Sequence, residues 1–322
     1  MLQNPALADV KVGDEIDGFY LLTEASVRTS ANGGRFLAAT LSDRSGSMDM
    51  KMWDYAGAIG PEDNGSAVRV RGTVSDYRGA KQLTARMLRL VGEKDCVNPE
   101  LLVPTAPIDA DEAAQEIRSL LQSLQDEDYR RIAETLYVRN EAQFRNVPAA
   151  KSVHHGFRGG LLMHTVNMLR TADCLAELYS EVINRDLLLT GTLLHDIAKI
   201  REFRLSPLGM VKDYSVEGQL LGHLVMGAQE VASVAEELGT PKEKALLLQH
   251  LVLSHHGDPE FGAAVRPMCA EAELLHLIDM MDSRMEIYAE TLQTMPAGSF
   301  SERVYALEKR IYKPADMDRA SE

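Results

Sequence analysis

The chain is poor in cysteine and in aromatic residues, has no long apolar run, and is short of positive charge. Its three cysteines, Cys96, Cys174 and Cys269, are odd in number and far apart. No disulfide framework is expected from them, their separations match no zinc motif, and they read as ordinary thiols of a reducing cytosol. No stretch of about 18 uncharged apolar residues occurs, so no transmembrane helix is expected. The opening Met1-Leu2-Gln3-Asn4-Pro5 lacks a basic region followed by an apolar core, so no signal peptide is read there. The expectation is a cytoplasmic protein without a membrane partner. Lys and Arg number 34 against 48 Asp and Glu, a net charge of −14, which argues against a general polyanion binder. Internal repeats and low-complexity tracts are absent too. What is present is ordinary globular material: 322 residues, 45% hydrophobic and 25% charged, long enough for two domains with separate cores.

The acidity is unevenly spread. Residues 1–95 hold 12 Lys+Arg against 13 Asp+Glu, and the remaining 227 hold 22 against 35. Within 69–89 stand Arg69, Arg71, Arg78, Lys81, Arg86 and Arg89, with Asp76 the one acid. Any nucleic-acid contact is therefore expected to be local and mainly in the first domain; a solvated strand face is the bland alternative. That region reads as β. Short runs at 18–22, 35–41, 48–53, 67–74 and from 82 onward alternate apolar and polar residues or sit between Gly-rich turns such as Asn32-Gly33-Gly34 and Tyr77-Arg78-Gly79. Five such strands predict a small closed barrel of the OB type over 1–95.

A stretch over 96–112 carries Pro99, Pro104 and Pro107 and reads as a linker. From there to 312 the pattern is helical. Asp109 or Asp111 is placed to cap a first helix through Ile117, Leu120, Leu121 and Leu124, and a second covers about 127–139. Further helices are expected near 160–178, 186–200, 216–238, 241–254, 270–292 and 300–311, and residues 313–322 read as a polar tail. The fold class is thus a five-stranded barrel followed by an all-α bundle.

In that bundle His195-Asp196 lies inside Leu193-Leu194-His195-Asp196-Ile197-Ala198. Imidazole and carboxylate are rarely buried unless paired or bound to a metal. His164, His223, His255 and Asp279 occur at long intervals around the pair, each on a different helix or helix end. Four nitrogens and two carboxylates suit Mn, Fe, Co, Ni or Zn better than Ca or Mg. Asp196, beside a histidine, is able to bridge two ions. Taken singly, each residue fits a structural role as a hydrogen-bonded core side chain; the ordered set is what points to metal. His256 is a rival to His255 or a substrate contact. His250 and His276 read as structural, with support of a ligand as the alternative for His276, one turn before Asp279, and Asp282 reads as a surface or helix-pairing carboxylate.

The order His…His-Asp…His…His-His…Asp resembles the HD superfamily of metal-dependent phosphohydrolases. The strings His154-His155-Gly156-Phe157-Arg158-Gly159-Gly160-Leu161-Leu162-Met163-His164-Thr165, Ser254-His255-His256-Gly257 and Ile278-Asp279-Met280-Met281-Asp282-Ser283 resemble the YhaM-type 3′-5′ exoribonucleases. Thr40-Leu41-Ser42-Asp43-Arg44-Ser45-Gly46 and Lys51-Met52-Trp53-Asp54 look like the OB module that precedes the HD domain in that family. The resemblance spans about 10–312. It departs from many HD relatives at Met163, where they carry an acid, which puts a third metal in doubt.

The resemblance implies that His164, His195, Asp196 and Asp279 are the core ligands and that His223 and His255 are the extra pair of dinuclear members. It implies a 3′-5′ exoribonuclease acting on single-stranded RNA, with single-stranded DNA as a further substrate, through hydroxide activated by two divalent ions. Mn²⁺ is the first expectation, with Co²⁺, Fe²⁺ or Ni²⁺ as alternatives. Asp196 is then catalytic as the bridge. Lys199 and Arg158 are candidates for phosphate stabilisation, with a surface helix lysine and a brace of the His154-His155 loop as the respective alternatives, and His155, with His154, is a candidate for positioning substrate or donating a proton. In the barrel, Phe36, Trp53 and Tyr77 are the available stacking rings and Arg69, Arg71, Arg78 and Lys81 the phosphate partners; Trp53 is expected to be half-buried in the barrel rather than a stacking platform. Competing readings are an HD hydrolase of a small nucleotide or cyclic dinucleotide, a di-iron oxygenase, and a single-strand binder with a structural metal. The acidic helical surface neither requires nor excludes a homo-oligomer.

Overall fold

The structure, a computed structural model, describes residues 4–315 apart from 31, 93, 96, 151–155 and 207. The chain forms two compact units: residues 1–105 with 205–212, and residues 106–204 with 213–322. Cys96, His154, His155 and most of the expected polar tail lie outside the described residues.

The first unit is a closed barrel of β1 (Glu15–Thr29), β2 (Arg35–Asp43), β3 (Gly46–Trp53), β4 (Ala67–Tyr77) and β5 (Ala80–Leu90), in the order β1-β2-β3-β5-β4. All neighbours are antiparallel except β3 and β5, which run parallel and close the ring. Strand alternation builds its core. Val68, Val70 and Val74 are buried, while Arg69 and Arg71 at the intervening positions keep access to solvent. Tyr20, Leu22, Leu37, Leu41, Met50 and Leu83 fill the interior, each contributing about 1.5–3 kcal/mol on burial. β4 bends where its register against β5 shifts between Arg71 and Gly72. A Cβ at Gly72 would meet the Thr84 carbonyl oxygen at 2.4 Å, so only glycine allows this close approach.

The Pro-rich stretch after β5 is packed rather than a free linker. Pro99–Leu101 makes one 3₁₀ turn, and Leu102 and Val103 are buried with Ala67 and Leu208 in a second cluster of the same unit.

The second unit contains α1 (Ala110–Gln122), α2 (Glu127–Phe144), α3 (Gly160–Leu178), α4 (Arg185–Leu194), α5 (Lys199–Glu202), α6 (Val216–Leu238), α7 (Lys242–Ser254) and α8 (Ala270–Gln293). Asp109 and Asp126 cap α1 and α2 through backbone N–H groups of the first turn. α4 is buried from Asp186 to Leu194 and packs against α2, α3, α7 and α8, so it is the central element. No helix among the described residues is long and apolar enough to cross a membrane.

Two helical expectations need correction. The helix expected over 186–200 stops at Leu194; His195 to Ala198 form a turn, and α5 follows. A short hairpin that the pattern did not reveal, β6 (Phe203–Leu205) with β7 (Val211–Tyr214), comes next. Residues 300–311 are not a helix. β8 (Ser299–Phe300) pairs with β9 (Tyr312–Lys313), and between them a 3₁₀ turn ends at Glu308 with φ +54°. The i, i+4 pair Leu307 and Ile311, which mimics a helical stripe, is instead buried against Ile287 by this turn.

Candidate metal centre and nucleic-acid face

The six expected ligands converge. His164 comes from the first turns of α3, His195 and Asp196 from the turn after α4, His223 from α6, His255 from the end of α7, and Asp279 from α8. Asp196 is the hub, 2% exposed, and its two oxygens face different groups. Oδ2 lies 3.4 Å from His195 Nε2 and 3.9 Å from His164 Nε2, and His164 Nε2 is 3.3 Å from Asp279 Oδ1. Oδ1 lies 3.4 Å from His223 Nε2 and 3.6 Å from His255 Nε2.

Each imidazole is held by its other nitrogen. His195 Nδ1 is 2.7 Å from the Thr192 carbonyl and His255 Nδ1 is 2.8 Å from the Val252 carbonyl. A carbonyl only accepts, so Nδ1 carries the proton and Nε2 presents a lone pair. His223 Nδ1 meets Glu202 Oε1 at 3.0 Å, and His164 Nδ1 meets Asp282 Oδ2 at 2.7 Å. His223 depends on a kink. Gly222 adopts φ +71° inside α6, a conformation that favours glycine, and the freed His223 N–H donates to Glu202 Oε1 at 2.9 Å. One carboxylate thus anchors both the backbone and the ring of His223.

This donor set fits divalent cations. Among the described residues, Asp196 Oδ1, His223 Nε2, His255 Nε2 and His256 Nδ1 are buried without a hydrogen-bond partner, an expensive state for polar atoms that an ion relieves. Groups drawn from His223, His255 and His256, from His164, His195 and Asp196, and from His195, His255 and Asp279 each bring their atoms within 4.8 Å of one another. Burial works against charge here but is overcome. Burial alone would raise the Asp196 pKa, yet Lys199 and His195 hold it well below the carboxylate range. Burial would lower that of His164, yet hydrogen bonds to Asp279 and Asp282 push it up to about 9. Burial pushes His256 down to about 3, aided by His255 and His223.

Lys199 is no surface lysine: its Nζ donates to Asp196 Oδ2 at 2.6 Å. An open cavity of ≈350 Å³ adjoins the ligands, with Lys199, His256, Phe261, Asp279, Met280 and Arg284 in its wall. Arg158 is not among the described residues of that wall; it donates to Asn146 Oδ1 at 2.6 Å, bracing the connection between α2 and α3. Asp282, expected at a surface or helix pairing, orients His164 instead. Glu202 was not singled out in the sequence, because its partner His223 lies 21 residues on and reaches it only through the kink at Gly222. His276 Nδ1 donates to the His255 carbonyl and its ring lines the cavity, while His250 Nε2 accepts from Met268 N–H.

In the barrel the candidate residues separate into groups. Phe36 and Trp53 are register partners on β2 and β3, and their ring centroids lie 4.9 Å apart. Trp53 is 50% exposed. It is therefore exposed, not half-buried in the barrel as expected, because at the end of β3 it packs beside Phe36 and not into the core. Lys51, which sequence reasoning passed over, stands 4.3 Å from the Tyr77 ring centroid and 5.8 Å from that of Trp53, and Arg78 flanks Tyr77 from the hairpin tip. These five form one aromatic and basic face. Arg69 is elsewhere committed, in a two-point pair with Asp17. Arg71 is exposed on the same strand, and Lys81 donates to the Ala8 carbonyl.

Residues 161–284 match the model of the HD domain, and residues 23–91 match the model of the OB-fold nucleic acid binding domain. The chain is therefore an HD-domain hydrolase with an OB-fold module. It is 38% identical to the 3′-5′ exoribonuclease YhaM of Geobacillus sp. (strain WCH70), over 94% of this chain and 93% of the relative. It is likewise 38% identical to YhaM of Bacillus subtilis (strain 168), over 94% and 96%, and to that of Listeria innocua, over 96% and 98%. The chain belongs to the YhaM family of 3′-5′ exoribonucleases.

Proposed function

We propose that the protein removes nucleotides from the 3′ end of single-stranded RNA by hydrolysis, accepting single-stranded DNA as a further substrate. Two divalent ions would be held at one centre. The observation that carries this reading is the division of Asp196, whose two oxygens face separate sets of imidazole nitrogens. His164, His195 and Asp279 would complete one position and His223 and His255 the other, with Asp196 shared. The mixed nitrogen and oxygen donors favour Mn²⁺, with Co²⁺, Fe²⁺ or Ni²⁺ as substitutes. Such ions supply Lewis-acid polarisation of the phosphodiester and a water acidic enough to act near neutral pH.

The chain's own residues do the rest. Thr192, Val252, Glu202 and Asp282 hold the four rings in place, so no reorganisation is needed when substrate arrives. Lys199 stays cationic: burial opposes its charge, but Asp196 raises its pKa. It reaches the cavity and offers that charge to a phosphate oxygen. On the barrel, Phe36, Trp53 and Tyr77 provide π-faces for bases, and Lys51 and Arg78 cations for the backbone.

The test is one assay. Metal-stripped protein is incubated with 3′-labelled and 5′-labelled single strands of RNA and DNA, with Mn²⁺, Co²⁺, Fe²⁺, Ni²⁺, Zn²⁺ or Mg²⁺ added separately. The expected outcome is immediate release of the 3′ label as a mononucleotide and a descending ladder from the 5′ label. Turnover of small nucleotides with intact strands would instead select the small-nucleotide hydrolase.

A further inference from the structure

We propose that the cavity beside the ligand cluster is the subsite for the 3′-terminal nucleotide, with Phe261 as its base platform and Arg284 as the contact to a phosphate next to the one being cleaved. The proposal rests on the ribonuclease reading above and adds the residues that seat the strand end.

The cavity holds ≈350 Å³, at the lower end of the range for small-molecule sites and suited to one nucleotide rather than several. Its wall is chemically divided. Ala149, Phe261 and Met280 line it with apolar surface, and Lys199, Ser283 and Arg284 with polar groups. Phe261 ends the 3₁₀ turn Pro259–Phe261 and is 72% exposed. A large ring left open to water at the rim of a pocket, when cores are available to bury it, is suited to stacking on a base.

Arg284 is the second observation. Among the described residues Arg69, Arg89, Arg118, Arg145, Arg170 and Arg185 pair with carboxylates, while others such as Arg35, Arg44, Arg71 and Arg204 do not; what sets Arg284 apart is that it is an arginine in the cavity wall. Arg284 makes no ion pair or hydrogen bond with any described residue, although Asp279 and Asp282 precede it on the same helix. Its place on α8 sets its role. Met280 and Arg284 are four residues apart and share a face, so an apolar contact and the cation line the same wall. Arg284 is five residues beyond Asp279, about 7.5 Å along the axis at 1.5 Å per residue. Asp279 and Arg284 both line the cavity, so the guanidinium faces the same space as the ligand cluster from a different height and is free to take a phosphate other than the one held at the cluster. Lys199, tied to Asp196, is left for the phosphate at the cluster.

The test compares Arg284→Ala, Arg284→Lys, Phe261→Ala and Phe261→Tyr with wild type on a labelled single-stranded RNA at several salt concentrations. R284A is expected to raise KM about tenfold with kcat within about twofold. It should also flatten the slope of log KM against log salt by about 0.7, the value for one phosphate contact on a single strand. R284K should restore most of that slope. F261A should raise KM by a similar factor with the slope unchanged, and F261Y should recover it. Arg139→Ala, which breaks a surface pair with Glu237, controls for general charge. Equal melting temperatures separate these effects from misfolding. A wild type that degrades RNA while R284A and F261A match it in KM and slope overturns the subsite alone. Loss in kcat without change in KM or slope also overturns it. A wild type inert on RNA in every metal overturns the ribonuclease reading and the subsite with it.

Discussion

The two units present their candidate functional side chains in opposite ways. On the barrel, Phe36, Lys51, Trp53, Tyr77 and Arg78 come from neighbouring strands and a hairpin tip, and they gather on one outer face. In the helical unit the groups come from elements far apart in the chain, as with His164 and Asp282, separated by 118 residues, and His164, His195, Asp196 and His255 are buried. An exposed face works by adding independent contacts, so losing one weakens it by a step. A buried cluster of mutually dependent charges works as a unit, so losing its hub removes the whole function.

The largest expected effect tests the hub. Asp196→Asn keeps the shape and removes the charge shared by both sets of imidazoles. Hydrolysis of labelled RNA should fall by about 10³-fold or more, and bound metal measured by elemental analysis should fall with it. Near-normal activity with normal metal content would break the contrast between the units. Next comes an anchor one step removed: Glu202→Gln weakens the acceptor that orients His223. Metal affinity measured by titration should drop about 10- to 100-fold, with saturating metal restoring most of the turnover. An affinity equal to wild type would show that His223 needs no anchor.

On the barrel the steps are smaller. Trp53→Ala should raise KM for RNA about tenfold, within the range for one stacked base, and leave kcat and metal content unchanged. A fall in kcat instead would mean that the face is coupled to chemistry and is not a separate grip. The smallest effect concerns pH. Burial raises the Tyr129 and Tyr137 pKa values to about 12, and that of Tyr20 in the barrel further, against an ordinary value of about 10. The folded state favours the neutral phenol. The stabilisation is therefore complete below about pH 10 and is lost as pH rises through the folded values. Phenolate absorbance should show the helical tyrosines ionising before Tyr20, with Tyr20→Phe removing the last phase. Ionisation complete by about pH 10, the ordinary value, would contradict the burial of all three.

Legibility also differs between the units. The barrel strands were readable because alternation such as Val68-Arg69-Val70-Arg71 records which side faces the core. The open face of Trp53 was not, since alternation says which residues share a face but not which neighbour covers a ring at the end of a strand. In the helical unit the candidate ligands were readable because packing alone hardly accounts for His195-Asp196 inside an apolar run. The anchors were missed because Glu202 and Asp282 look like surface carboxylates until the kink at Gly222 and the packing of α3 on α8 bring histidines to them. The false helix at 300–311 has the same origin: Leu307 and Ile311 carry helical spacing, but the buried contact with Ile287 is satisfied by a turn.

The order of residues by itself determined the barrel followed by the helical bundle and the chemical types of the candidate ligands, because periodicity and chemical type are local properties of a chain; the family followed from the resemblance of its motifs. Only the tertiary structure decided that the two oxygens of Asp196 face different nitrogens, that Lys199 turns inward and that Arg284 has no carboxylate partner among the described residues. Distances between groups remote in sequence depend on how helices pack and kink, and no local pattern encodes them.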